Sequence, residues 1–304
     1  MIWTLTVNPS LDYNIRLEKL ALGAVNRSKG ESITAGGKGL NVSMVLKNLG
    51  VQSTALAFTG GWTGVKIESL LSRMGIATDF VYLQKGESRI NVKIKAEQET
   101  EINAQGPVIQ ESEVDSLMKK LEGLGDGDIL VLAGSIPSSL PKDFYTCIMK
   151  FLSSKKIDFV VDASGELLVQ ALACRPFLIK PNNHELGELF GIEIQSQEEA
   201  LVYAEKLVEK GARNVLVSLA DKGAVLLAEN GCRYRLQSPK GTVVNSVGAG
   251  DSMVAGFLAG WIEKKDYEHA LKMGICAGSA SAFSSGLATG EKVRELFVKC
   301  CGES

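Results

Sequence analysis

Asn245-Ser246-Val247-Gly248-Ala249-Gly250-Asp251-Ser252 leads without interruption into Met253-Val254-Ala255-Gly256-Phe257-Leu258-Ala259-Gly260-Trp261. A loop of small residues enters an apolar helix, with one carboxylate at the junction. The first turn of a helix carries unpaired backbone N–H groups and the positive end of the dipole, so it attracts phosphate oxygens. Where side chains are missing, that backbone can approach a ligand closely. Asp251 adds a proton acceptor beside the same spot. An anion cradle with a base next to it suits phosphoryl transfer to a hydroxyl.

Upstream of this element, short apolar runs alternate with helical patterns. Ile2–Val7, Thr54–Phe58, Asp128–Ala133, Phe159–Asp162, Phe177–Ile179, Val215–Leu219 and Ala224–Ala228 read as buried strands. Within Lys38–Leu49, Val42, Val45, Leu46 and Leu49 recur at helical spacing, and Glu113–Leu124 and Glu198–Lys210 are similarly amphipathic. Strand–helix alternation with continuous apolar strands predicts an α/β fold whose mostly parallel sheet is covered on both faces. Ile90–Ala96 differs, because it alternates strictly and so has one polar face. The polar Thr100–Gln105 stretch follows it, and Asp12–Arg16 is a candidate pairing partner. Periodicity fits two placements for this group, a small flap outside the sheet or an antiparallel edge strand of it. No repeat or long linker divides the chain, so the expectation is one domain over residues 1–304. A β-lid is expected from about 11–36 and 88–106.

Bulk properties narrow the function. The chain has 45% hydrophobic and 22% charged residues, ordinary for a globular protein, and a formal net charge of −2. No basic field points to nucleic acid or to an anionic membrane, and an anionic substrate would need local Lys and Arg. Six cysteines without C-x-x-C spacing read as reduced thiols. Two histidines, His184 and His269, exclude a three-histidine metal site. The N-terminus reads as a strand, not a leader, and no run approaches the ~18 apolar residues of a membrane span. A cytoplasmic protein is expected.

Three further motifs carry chemistry. Ala35-Gly36-Gly37-Lys38-Gly39-Leu40-Asn41 opens a helix with close-approach glycines, a cation and an amide, though a plain turn would look similar. Neither a P-loop nor a G-x-G-x-x-G fingerprint is present, which argues against a dehydrogenase. Lys180-Pro181-Asn182-Asn183-His184-Glu185 follows an apolar strand, at the sheet edge where open α/β folds bind ligands. Asn182 and Glu185 are hard oxygen donors suited to Mg²⁺, and equally suited to capping a helix. Asn8-Pro9-Ser10-Leu11-Asp12 leaves the first strand at the same edge, where Asp12 can accept from sugar hydroxyls or stand as a plain turn carboxylate.

Taken together, the Gly-Gly-Lys-Gly-Leu-Asn helix start, Asn-x-x-Glu and Gly-Ala-Gly-Asp resemble, in order and spacing, the ribokinase-like (PfkB) carbohydrate kinases. The resemblance covers nearly the whole chain. It falls nearest a branch acting on fructose 1-phosphate, through Asn8–Asp12, Asn26-Arg27, Arg89–Lys93, Glu101–Pro107, Ala133–Pro137 and Asn245–Ser252. A branch acting on tagatose 6-phosphate is similar over the same span. The resemblance implies a three-layer α/β/α sandwich, ATP and Mg²⁺ as cofactors, and transfer to the 6-hydroxyl of the sugar. It makes Asp251 the base and the amides of Gly248, Ala249 and Gly250 the anion hole. It assigns Asn182 and Glu185 to Mg²⁺, and Asp12, Gly37 and Asn41 to the sugar hydroxyls. Lys38, Arg27, Arg89 and Ser135 become candidates for the sugar's phosphate, with Asn91 nearby. Lys180, Asn182, Ser218, Gly223 and Ser284 join the anion hole on the nucleotide. The flap resembles the family's β-lid, which closes over sugar and serves as a homodimer clasp. In one departure, Ala220 stands where many members carry glycine in Ser218-Leu219-Ala220-Asp221-Lys222-Gly223. A non-catalytic sugar-phosphate sensor on the same fold could lack the base or the metal residues. Here Asp251, Asn182 and Glu185 are all present, which favours an enzyme.

Overall fold

Strand β1 (Ile2–Thr6) is followed by Val7-Asn8-Pro9, and the chain starts β2 (Ser10–Arg16) in a different sheet. Pro9 has no N–H for a ladder, which keeps the two from running on as one strand. The structure is a computed structural model and describes residues 1–302.

The chain continues through β3 (Gly30–Gly36), α1 (Lys38–Asn48), β4 (Ser53–Thr59), α2 (Gly61–Arg73), β5 (Ala77–Thr78) and β6 (Val81–Tyr82). It returns through β7 (Arg89–Lys95) and β8 (Glu99–Asn103), then α3 (Glu111–Leu121), β9 (Ile129–Ala133), α4 (Phe144–Phe151), β10 (Asp158–Asp162), α5 (Gly165–Leu172) and β11 (Leu178–Ile179). The remainder is α6 (Asn183–Phe190), α7 (Gln197–Glu209), β12 (Asn214–Ser218), β13 (Ala224–Leu227), β14 (Arg233–Leu236), α8 (Ala249–Lys264), α9 (Tyr267–Ala282) and α10 (Gly290–Cys301).

The main sheet runs β14-β13-β12-β11-β10-β9-β1-β4-β5, with β6 on β4. It is parallel from β12 to β5, and β13 and β14 add an antiparallel edge. Side-chain alternation splits each strand between two cores. Leu130 and Leu132 of β9 pack with Leu117, Ile148, Leu168 and Leu207 from α3, α4, α5 and α7. Val131 of the same strand packs with Val45, Phe257, Leu271 and Leu296 from α1, α8, α9 and α10. Burial on both faces makes the three layers that the continuous apolar runs imply. The strands read from sequence match within a residue or two, while β3, β5, β6 and β14 carry no strand reading there. In β14, Arg233-Tyr234-Arg235-Leu236 alternates at half burial and carries no apolar run.

A separate four-stranded sheet, order β3-β2-β7-β8, stands off this body. Strands β2 and β7 pair in parallel, with Asp12 opposite Asn91. Of the two placements periodicity allows for Ile90–Ala96, the structure takes the one outside the main sheet. Ile90 and Ile102 are exposed on the outer side of this small sheet. Leu11 and Ala35 anchor it to the body through Leu40, Ile67, Leu71 and Phe80. Among the described residues no helix is long and apolar enough to cross a membrane.

Candidate active site

Parallel strands present their C-terminal ends to one edge, and there the body and the small sheet enclose a cleft of about 1240 Å³. Thr6 from β1, Gly134 after β9, Asp162 at the end of β10 and Lys180 after β11 form its floor. The inner face of the small sheet forms its roof.

Helix α8 begins at this edge. Its N-cap, Gly248, holds φ 79, a left-handed conformation that turns the loop into the helix. The Ala249 N–H donates to the Ser246 carbonyl at 3.2 Å, so of the three amides expected to form an anion hole this one is engaged inside the loop. The next first-turn amides have no acceptor four residues back within the helix. Lys180 adds charge here, since a Cβ on Gly250 would lie 3.2 Å from its Nζ.

Asp251 is buried in the same first turn and lines the cleft. Asn41, expected on a sugar hydroxyl, lines the cleft and donates its amide N–H to Asp251 Oδ2 at 2.7 Å. Burial, reinforced by the Asp162 charge, pushes the Asp251 carboxyl up to about 6, against Asn41, Lys38 and Lys180. Desolvation disfavours the charged form and is the larger cause of the rise.

Asp162 was read only as the end of a strand. The structure makes it the hub of the cleft. It is fully buried, 3.3 Å from Lys38 Nζ and 3.5 Å from Lys180 Nζ. Burial would raise its pKa, but Lys180 and Lys38 outweigh that and hold it below the usual carboxylate range. Burial would likewise lower Lys38, but Asp162, Asp251 and Glu185 hold it above its ordinary value. A carboxylate ending an otherwise apolar strand at this sheet edge was the available signal.

On the acceptor side, Asp12 Oδ1 accepts from Ser10 Oγ at 2.6 Å and from Asn91 Nδ2 at 3.2 Å. Gly36 lies directly beneath, where a Cβ would sit 2.5 Å from the carboxylate oxygens. Gly37 and Ser135 line the same cleft. Arg89 donates to the carbonyls of Asn8 and Ala104 at 3.1 and 3.2 Å. Burial lowers the pKa of its guanidinium, and the Asp12 charge partly offsets this.

Other expected residues stand elsewhere. Arg27 is exposed in the loop between β2 and β3, outside the cleft lining of its own chain. Ser218, Gly223 and Ser284 also lie outside that lining. Ser218 ends β12 and bridges Asn182, while Ser284 follows α9. Ala220 holds φ 50, so the position where many family members carry glycine does require a left-handed residue. Ala220→Gly is expected to raise stability by roughly 0.5 kcal/mol, the relieved strain less the unfolded-state entropy glycine adds. Chemical denaturation checks this.

Asn182 and Glu185 form a reciprocal capping box on α6. Asn182 Oδ1 accepts the Glu185 N–H at 2.8 Å, and Glu185 Oε2 accepts the Asn182 N–H at 2.9 Å. Both line the cleft, and His184 points to solvent as expected of a surface residue. Among the described residues no cluster of three or more His, Cys, Asp or Glu could hold a metal. The donors present are oxygens, with one Glu185 carboxylate oxygen outside the cap. Such a set fits Mg²⁺, which keeps most of its shell from water and phosphate, and does not fit a closed protein cage.

A buried carboxylate at a helix N-terminus, two lysines beside it and a polar roof share one cleft, an arrangement suited to a phosphotransferase. The model of the pfkB family carbohydrate kinases matches residues 6–294, and the chain belongs to that family. It is 49% identical to a 1-phosphofructokinase of Bacillus subtilis over 97% of both chains. It is 36% identical to a tagatose-6-phosphate kinase of Staphylococcus epidermidis, over 98% of this chain and 97% of that one. Phosphofructokinase-2 from Escherichia coli, solved in complex with substrates and products, superposes with a TM-score of 0.93 at 28% identity over 99% of both chains.

Proposed function

We propose that the protein transfers the terminal phosphoryl group of ATP to the 6-hydroxyl of fructose 1-phosphate, giving ADP and fructose 1,6-bisphosphate. One observation carries the reading. Asp251, at the first turn of α8, opens onto the same cleft as Lys38, Arg89 and Asp12, so base, cations and hydroxyl acceptor share one space. The higher identity to the fructose 1-phosphate enzyme than to the tagatose 6-phosphate enzyme supports this acceptor over its competitor.

Asp12 accepts from a sugar hydroxyl, and Lys38, Arg89 and Ser135 take the sugar's phosphate. The first-turn amides of α8 and Lys180 neutralise charge on the migrating group. Positioning and charge do most of the work, since the transition state is loose. Asp251 takes the hydroxyl proton late in the transfer. With a pKa of about 6 it is largely ionised at pH 7 and only modestly basic, which suffices for a proton that becomes acidic late. Glu185 and Asn182 would hold Mg²⁺ together with water and phosphate, and the ion would supply further neutralisation of phosphate charge.

The four-stranded sheet acts as a lid that closes over bound sugar phosphate and excludes water, which would otherwise waste ATP. Its exposed Ile33, Ile90 and Ile102 give the outer face on which a second copy pairs. The reading places the enzyme in the cytoplasm.

An ADP-release assay on fructose 1-phosphate, fructose 6-phosphate, tagatose 6-phosphate and free fructose tests the acceptor. Fructose 1-phosphate should give the highest kcat/KM. A higher value for tagatose 6-phosphate would transfer the reading to the competitor, and no turnover with any of the four would leave a sensor. Arg89→Ala is expected to raise KM for the sugar phosphate at least about tenfold and KM for ATP less than about twofold. Equal effects on both substrates would remove Arg89 from the phosphate.

A further inference from the structure

Lys93 takes no part in the reaction as described, yet its ammonium is enclosed on the acceptor side of the cleft. Its side chain is only 12% exposed, although it stands on a thin sheet with water close by. A lysine there would ordinarily extend its charge into solvent. Instead Nζ lies 3.5 Å from Asp12 Oδ2 and 3.3 Å from Glu101 Oε1.

The register produces this bridge. Lys93 on β7 is paired with Glu101 on β8 and with Asn14 on β2. Asp12 lies two residues before Asn14 on the same face, so it is a diagonal neighbour within reach of a long side chain. One ammonium therefore spans three strands and separates two carboxylates that would otherwise repel.

The surroundings of Asp12 show what the bridge does. Oδ1 is already used by Ser10 and Asn91. Gly36 closes the carboxylate from behind. Oδ2 faces Lys93 at a distance that gives ionic attraction without a full hydrogen bond, so it keeps acceptor capacity. The neighbouring cation Arg89 also attracts Asp12, and its Nε and Nη1 donate to two backbone carbonyls.

We propose that Lys93 is a positioning residue of the acceptor subsite: its ammonium fixes the Asp12 carboxylate for a sugar hydroxyl and ties that contact, through Glu101, to the outer strand β8. The inference deepens the proposed function and rests on its placement of the sugar against Asp12. Acceptor binding and the order of β8 are coupled through this one side chain.

Steady-state kinetics on the full-length protein test it, with fructose 1-phosphate and ATP varied separately. Lys93→Met is expected to raise the acceptor KM at least about tenfold while kcat changes less than about threefold and the ATP KM less than about twofold. Lys93→Arg, which retains the charge, should recover most of the loss. In an Asp12→Asn background, Lys93→Met should add less than about threefold, because the group it positions has lost its charge. An unchanged acceptor KM, an equal rise for ATP, or the full effect persisting in the Asp12→Asn background would each overturn the proposal. Should Lys93→Met fail to fold, Glu101→Gln reads the same tie. A rise of about threefold in acceptor KM is then expected, and no rise overturns it. Wild-type protein that ignores fructose 1-phosphate would defeat the acceptor assignment alone. The same cycle would then be run on whichever of the four acceptors releases ADP.

Discussion

Asp251→Asn is expected to lower kcat by about a thousandfold or more while making the folded protein more stable at neutral pH. The activity loss follows from removing the proton acceptor while keeping its shape and its bond from Asn41. Sugar-phosphate KM should stay nearly constant, because Asp251 is not among the groups holding the phosphate. The stability gain follows from linkage. The folded-state pKa of about 6 lies above the ordinary 3.8, so the native state binds the proton more tightly than the unfolded chain. Asp251 is neutral in both states at low pH and costs the fold nothing there. As pH rises through 4 to 6, the unfolded chain ionises first and stability falls. Above pH 6 the cost is roughly 3 kcal/mol, from about two units at 1.36 kcal/mol each. Asparagine avoids it. Denaturation of both proteins at pH 7.5 and at falling pH should show an advantage for the variant that fades toward pH 4. Near-normal turnover would remove the base assignment. A variant less stable at pH 7.5 would remove the buried-charge account. A functional group that works against the fold is the usual trade at an active site.

The layered architecture was readable because both cores depend on apolar alternation, which a single sequence displays directly. Leu130, Val131 and Leu132 announce a strand buried on two sides. Strand β14 was missed because half-buried Arg and Tyr leave no such run. At the site, Asp251 and Lys38 were legible beside glycine-rich turns and Asp12 beside the Asn-Pro-Ser turn after the first strand, while Arg89 came from the family resemblance alone. Their partnerships were not. Asn41 and Asp251 are 210 residues apart, and only the packing of α1 against α8 puts an amide on this carboxylate. Asn182 and Glu185 carried two readings three residues apart, and the local cap is the one the backbone bonds display. Asp162 was hidden for a different reason. Its role depends on two lysines that arrive from α1 and from the loop after β11, so its own neighbourhood marks it only as a carboxylate ending an apolar strand at the sheet edge.

Asp162→Asn puts that hub to the test, and it should act on stability and on the pH profile in separable ways. The carboxylate is fully buried between Lys38 and Lys180, and Lys180 is only 4% exposed. Removing one member of a buried ionic cluster leaves the others uncompensated, which costs about 3 kcal/mol or more. Tm should therefore fall clearly. The same substitution removes the negative charge that helps hold the Asp251 pKa up near 6. With Lys38 and Lys180 still present, the Asp251 carboxyl should ionise at lower pH. In wild-type protein kcat/KM should fall as pH drops through about 6, because the base becomes protonated. In Asp162→Asn that acid limb should move to lower pH, even as the value on the plateau declines. The two effects discriminate between roles. A fall in Tm with the limb fixed near 6 would make Asp162 a packing residue whose charge does not reach the base. A shifted limb with unchanged Tm would mean that Lys38 and Lys180 find other counter-charges, and the hub would lie elsewhere. Both changes together are what a single carboxylate must produce when it holds two phosphate-side lysines and sets the basicity of the proton acceptor.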